Sequence, residues 1–215
     1  MEYIAVIDHN RLDHSLFMKS FADAMGQQTG CSGIILHGDS AYTDRLIQTG
    51  MMRRDAVLRS TRDLNHRMAA LLADSGVAAV AVNGYQKEII RQSGTSLHAN
   101  LEWFEGRPSG IHVILSNLVW DVDHSEIRVA PLRDMAVQLA RLLKKDNIII
   151  FSTDDKKLLS NSKHDPQEVH RTEKWSDIRD LIPAELIPPP ENCYLATAEA
   201  FGSLPETAQF IRLNP

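Results

Sequence analysis

The apolar residues of this chain alternate between two spacings, and that alternation predicts the fold. Short β-branched runs occur at Tyr3 to Ile7, Gly33 to Leu36, Val77 to Val82, Ile111 to Leu115 and Ile148 to Phe151. Continuous apolar runs of this length suit strands buried on both faces. Between them the spacing becomes helical. Leu12, Leu16, Phe17, Phe21, Ala24 and Met25 predict one apolar helix face with Gly26 as its stop. Leu64, Met68, Leu71 and Leu72 predict another, closed by Gly76. A third face, Leu132, Met135, Ala136, Leu139, Leu142 and Leu143, runs into Lys144 and Lys145, whose charges suit a helix C-terminus. Strands alternating with helices predict the α/β class: a three-layer αβα sandwich with a mostly parallel central sheet.

Two segments break the rhythm. Ser93 to Gly110 carries Gly94, Gly106, Pro108 and Gly110 around Leu101-Glu-Trp-Phe104, which predicts a loop or hairpin excursion over a sheet edge. Ser160 to Lys174 is polar and rich in His and Lys. The Pro-rich stretch Ile182 to Pro190 reads as a stiff connector ahead of a last helix and a strand from Phe210 to Leu213. With 215 residues and no internal repeat, one domain spanning 1–215 is the simplest organisation.

Composition narrows the function classes. With 23 basic and 28 acidic side chains there is no positive excess for a polyanion, so no nucleic-acid partner is expected. Cys31 and Cys193 are too few for a disulfide framework and read as buried thiols. The N-terminal residues lack a basic region followed by a long apolar run, and no window approaches a membrane span. The expectation is a soluble, cytoplasmic protein with no membrane partner.

Candidate chemistry begins at Cys31 to Ser40. Here a buried strand runs into a tight loop, His37-Gly38-Asp39-Ser40, and then into a helix N-terminus, where free N–H groups and the helix dipole can hold an anion. His37 could orient a ligand carboxylate or serve as a hydrogen-bonded structural histidine. Ser40 could hold an anion or cap the helix starting at Ala41. Thr153 and Asp154 follow a buried strand, at the carboxyl edge where open α/β sheets place ligands, or else form a plain turn. Asp8-His9, Asp13-His14, Asp121-Val-Asp123-His124 and His164-Asp165 match no closed metal site, so no metal is expected.

The order of these pieces resembles the amino acid kinase family, and within it the N-acetylglutamate kinases. Gly33 to Ser40 with Thr43-Asp44 and Gly50 resembles that family's strand, glycine loop and helix. Leu64-Asn65-His66 with Leu71 to Val80 resembles its Asn-containing helix and next strand. Asp134 to Ala140 through Ile148 to Asp154 resembles its Asp-containing helix and nucleotide-side turn, and Ala198 to Leu213 its late helix and strand. The resemblance implies a carbamate kinase-like fold, with ATP and magnesium as cofactors of any phosphotransfer, and pairing into a homodimer. It implies a substrate site at His37, Gly38, Asp39, Ser40, Arg54 and Asn65, and a nucleotide site at Thr153 and Asp154. Arg54 would clamp a carboxylate bidentately, or else be a solvated surface charge.

The departures from the family pattern matter as much. Its early lysine and two glycines fall on Val6, Asp8 and His9, and its three-glycine loop becomes Gly38-Asp39-Ser40. Its organising aspartate falls on Arg133, beside Asp134, and its late lysine on Ala196. Arg133 and Asp134 are the remaining catalytic candidates. Phosphoryl transfer needs concentrated positive charge and oriented donors. The expectation is therefore an amino acid kinase-like protein without phosphotransfer, its nucleotide-binding part truncated or degenerate over about 132–215. Such a protein would bind a small carboxylate or phosphate ligand or act as a regulatory or assembly module. The alternative is an ATP-dependent kinase that phosphorylates the carboxylate of an N-acetylglutamate-like amino acid.

Overall fold

The computed structural model describes residues 3–28, 30–144, 147–160, 171–204 and 210–214. The first half of the chain forms β1 (Tyr3–Ile7), α1 (His9–Leu12), α2 (Ser15–Gln27), β2 (Gly33–His37), α3 (Tyr42–Gln48), α4 (Arg53–Asp74) and β3 (Ala79–Asn83). An excursion follows: β4 (Ile90–Ser93), β5 (Ser96–Ala99) and α5 (Leu101–Glu105). Then come β6 (His112–Ser116), β7 (Leu118–Asp121), β8 (Glu126–Val129), α6 (Leu132–Leu143) and β9 (Ile148–Phe151). The chain closes with α7 (Asp155–Ser160), β10 (Arg171–Lys174), β11 (Cys193–Ala196) and β12 (Ile211–Asn214).

The central sheet has the order β10-β12-β11-β9-β1-β2-β6-β3. Pairing is parallel from β11 through to β3, while β12 runs antiparallel to β11 and parallel to β10. Strand alternation sends side chains to two separate cores. From β1, Tyr3, Ala5 and Ile7 pack with Phe17, Phe21, Leu64 and Met68 of α2 and α4. Ile4 and Val6 point the other way, into the core that holds Met135, Ala136 and Leu139 of α6. Both faces are covered, which is why the strands read as unbroken apolar runs. A smaller sheet, β5-β4-β7-β8, joins the α6 side.

The five predicted strands and the helix ending at Lys144 are present; Lys144 closes α6 in a left-handed conformation, φ 52°. The first predicted helix needs correction. Leu12 belongs to the separate turn α1, Leu16 is 73% exposed, and Gly26 lies inside α2 rather than stopping it. A Cβ at Gly26 would stand 2.8 Å from the carbonyl oxygen of Ser75, so glycine there lets α2 pack against the chain just past α4. The predicted hairpin excursion is β4, β5 and α5. In the region predicted as a last helix, the described residues form the short 3-10 turn Ala200–Ser203. Of the polar stretch Ser160 to Lys174, residues 161–170 lie outside the described residues, as does Lys145.

Candidate functional site

The parallel strands bring their carboxyl ends to one edge, and the loops after β1, β2 and β9 meet there. Asp8 follows β1 and caps α1, its Oδ1 accepting the Asn10 N–H at 2.9 Å. Its Oδ2 is buried and has no hydrogen-bond partner among the described residues. Burial raises the carboxyl pKa against the pull of the Asn10 N–H and the Arg11 charge.

His9 is gripped by two carboxylates. Its N–H donates to Glu185 Oε1 at 2.9 Å, and its ring Nδ1 stands 3.5 Å from Asp39 Oδ1. Burial raises the Glu185 pKa against the lowering pull of the His9 N–H bond, and the negative charges of Asp8 and Asp39 add to the rise. Arg11 is engaged through one nitrogen: its Nη2 donates to the Ser152 carbonyl and pairs with Asp155 Oδ1 at 2.9 Å, while its buried Nε has no partner among the described residues. Burial nonetheless raises the Asp155 pKa. The edge thus gathers Asp8, Asp39, Asp155 and Glu185 around one engaged guanidinium. Among the described residues no three His, Cys, Asp or Glu side chains are grouped to hold a metal ion.

The helix N-terminus after the loop does not offer the free N–H that its sequence suggests. The Tyr42 N–H donates to Asp13 Oδ2 at 2.8 Å and approaches Ser40 Oγ at 3.2 Å. Burial alone would raise the Asp13 pKa, but bonds from the Ser40 hydroxyl, the Tyr42 N–H and Arg67 hold it below the usual range. The protein supplies its own anion to α3. Ser40 lies two residues before α3, whose N-cap is Ala41 with no side-chain cap, and its hydroxyl is used within the loop by Asp13 and the Tyr42 N–H.

His37 and Asn65 do come together. His37 Nε2 lies 2.9 Å from Asn65 Oδ1, and its Nδ1 lies 2.8 Å from the Gly38 carbonyl oxygen. The Asn65 amide donates to the Val82 carbonyl and to Asn83 Oδ1, each at 3.0 Å, and Ser116 Oγ donates to the same Asn83 oxygen at 2.9 Å. This buried network ties α4 to the ends of β2, β3 and β6. Gly38 allows close packing there: a Cβ would lie 3.2 Å from Asn117 Nδ2.

Other candidates lie apart from this network. Arg54 is exposed and pairs with Glu126 Oε2 at 2.7 Å. Thr153 Oγ1 donates to the Asp180 carbonyl at 2.8 Å, and Asp154 Oδ1 accepts the Lys157 N–H at 3.0 Å in the first turn of α7. Arg133 donates through Nε to the Pro188 carbonyl at 2.6 Å and approaches exposed Asp134 at 3.4 Å. Sequence reasoning gave no site role to Arg11, Asp13, Asp155 and Glu185. Only the first three carry a local signal, a charged residue within a few positions of a strand's carboxyl end.

No family model matches the chain, and no curated protein matches it. Solved structures do. An aspartate kinase from Synechocystis superposes with a TM-score of 0.65 at 12% identity, over 100% of this chain and 40% of that one. An isopentenyl phosphate kinase does so with 0.65 at 15%, over 100% and 99%. An N-acetylglutamate synthase from Neisseria gonorrhoeae, complexed with coenzyme A and N-acetyl-glutamate, does so with 0.65 at 15%, over 100% and 60%. These likenesses show the amino acid kinase fold. No helix among the described residues is long and apolar enough to cross a membrane.

Proposed function

We propose that this protein uses an amino acid kinase fold to bind a small ligand at the carboxyl edge of its central sheet, without transferring a phosphoryl group. One observation carries the reading: the buried Asp8 carboxylate at the end of β1, one of whose oxygens has no partner among the described residues, with Asp39 and Glu185 close enough to perturb one another's environment. A phosphoryl transfer site must neutralise a polyanion. Here burial strengthens electrostatic interactions, and the charges that face the edge are negative. Arg11, the half-buried guanidinium nearby, gives its Nη2 to the Ser152 carbonyl and Asp155.

ATP and magnesium do not fit these residues well. The N-terminal donor of α3 is filled by Asp13, and Thr153 is used by the Asp180 carbonyl. A small ligand that brings a cationic group to Asp8 and Glu185 suits the edge better than a phosphate, and a ligand carboxylate would have to lie away from them. Calorimetric titration of Mg-ATP into the protein is expected to give no binding in the micromolar range, and micromolar binding would overturn the reading.

The alternative, a kinase acting on an N-acetylglutamate-like carboxylate, is favoured by the Thr153-Asp154 turn, which stands at the end of β9 as in the resemblance. A coupled ADP-release assay across acidic amino acids and their acetylated forms decides it; turnover above blank establishes the kinase. The homodimer remains part of the proposal, and light scattering that returns the 24.1 kDa of one chain would contradict it.

A further inference from the structure

Along one flank of α6, the positive charges of a net-negative chain collect in a single groove. The formal charge is -5 at pH 7, yet the groove between α6 and the chain entering β11 is lined by Arg133, Arg141 and Lys144 against one acid, Glu191. Its volume is about 480 Å³, and Val137 and Ile148 give it apolar wall. Arg212 of β12 brings a fourth cation to the margin, its Nη2 donating to Asn192 Oδ1 at 3.2 Å.

Helix geometry accounts for the shape. Positions 133, 137, 141 and 144 recur at spacings of three and four, so they share one flank of α6, beside the stripe of Leu132, Met135, Ala136 and Leu139 that is buried against the sheet. Arg133 ties the far wall to the helix: its Nε donates to the Pro188 carbonyl at 2.6 Å, while Nη1 approaches Asp134 Oδ1 at 3.4 Å. Arg141 and Lys144 are exposed, and no side-chain hydrogen bond or ion pair engages either of them among the described residues. Cations in the last turn complement a helix dipole. That accounts for Arg141 and Lys144 singly, but not for Arg133 in the first turn or Arg212 on a strand.

We propose that this groove docks an acidic segment of a partner protein in an extended conformation. Charge complementarity selects its sign. Length selects a chain over a small anion: positions 133 to 144 span about 16 Å of helix, the reach of about five residues of extended peptide. The apolar wall takes side chains that lie between the acids. Glu191 and exposed Asp134 oppose the unbroken phosphate charge of a nucleic acid. Arg141 and Lys144 stand at the amino-terminal end of the sheet, and the proposal does not depend on the function assigned to the carboxyl edge.

A fluorescein-labelled peptide of alternating glutamate and leucine, about eight residues long, is the probe, read by fluorescence anisotropy. The wild-type protein is expected to bind it saturably, more weakly as salt is raised, and not to bind the matching lysine and leucine peptide. Arg141→Gln combined with Lys144→Gln is expected to lose about tenfold or more in affinity, with an unchanged melting temperature because both side chains are exposed. Glu191→Gln is expected to gain about twofold or more, which tests the groove independently of how the double variant folds. Absence of saturable binding by the wild type, equal binding by a folded double variant, weaker binding by Glu191→Gln, or tighter binding of an oligothymidylate of equal charge would each overturn the proposal.

Discussion

The ring of His37 is held between two acceptors, Asn65 Oδ1 at 2.9 Å and the Gly38 carbonyl oxygen at 2.8 Å. A neutral imidazole has one N–H, so it satisfies one of them at a time. Burial holds the His37 pKa below its ordinary value against both acceptors, which favours the neutral ring. Asn65 is therefore the pivot of the network, because its amide also satisfies the Val82 carbonyl and Asn83. Asn65→Leu is expected to strand these groups and cost about 2–4 kcal/mol in urea unfolding. A loss well under this range, with the fold intact, would mean that water takes over the partners and the network is not structural.

A second prediction concerns the start of the sheet. Gly33 lies under the ring of Tyr3, where an added Cβ would come 2.2 Å from Tyr3 Cε2. The ring cannot easily retreat, because Tyr3 is buried and its hydroxyl reaches Gln28 Oε1 at 2.9 Å and His112 Nδ1 at 3.2 Å. Gly33→Ala is expected to destabilise the fold by about 1–3 kcal/mol through overpacking. Combining it with Tyr3→Leu should cost less than the sum of the two single changes. Strict additivity in chemical denaturation would show that the clash is relieved elsewhere.

His112 makes stability depend on pH. Burial lowers its pKa to about 4, against an ordinary value of 6.5. The unfolded chain then takes up a proton that the folded chain refuses, so stability is complete above pH 6.5 and declines as pH falls from there towards 4. The loss across that window has an upper limit of about 3 kcal/mol. The raised pKa values of Asp8, Asp155 and Glu185 act in the opposite sense, favouring the fold as each is protonated. Comparing wild type with His112→Gln isolates the histidine. The variant is expected to lose less stability between pH 7 and pH 4.5, and parallel pH profiles would rule out the assignment.

Much of the fold is legible from periodicity, since β1, β2, β6, β9 and α6 each carry an unbroken apolar run or a strong helical stripe. β7, β8 and β11 were hidden for a physical reason. None carries the unbroken β-branched run that marks the equally short β9, and in β8 two of the four residues are charged. Leu16 fitted a helical face but is exposed, because the chain turns at Asp13 between α1 and α2 and changes the phase. Within the site, His37 and Asn65 stood separately among the residues that the family resemblance implied. Their bonding to each other was not legible, nor was the carboxylate of Asp13 on α3, 29 residues away in sequence from Tyr42. Glu185 reaches His9 across 176 residues, and no local pattern encodes such a pairing.

The last prediction tests the charge of the carboxyl edge. Because the Asp8 pKa is raised, its ionised form is the one that folding disfavours, so an amide in its place should stabilise the protein at pH 7. The amide oxygen would keep the Asn10 N–H, and an uncharged NH2 would stand where the unpartnered oxygen is. Asp8→Asn with Asp39→Asn also removes two of the negative charges that any phosphate must approach, and relieves Glu185 of both neighbours that raise its pKa. The double variant is expected to gain a thermal shift with Mg-ATP that the wild type lacks. A lysine at Val6 should add little by comparison: Val6 is fully buried against α6, and an ammonium there would first have to escape the core, although Asp8 two residues on shares its face of the strand. If the double variant folds, melts higher and still shows no response to Mg-ATP, the carboxylates are not what excludes phosphate, and the committed state of Arg11 becomes the reason to test.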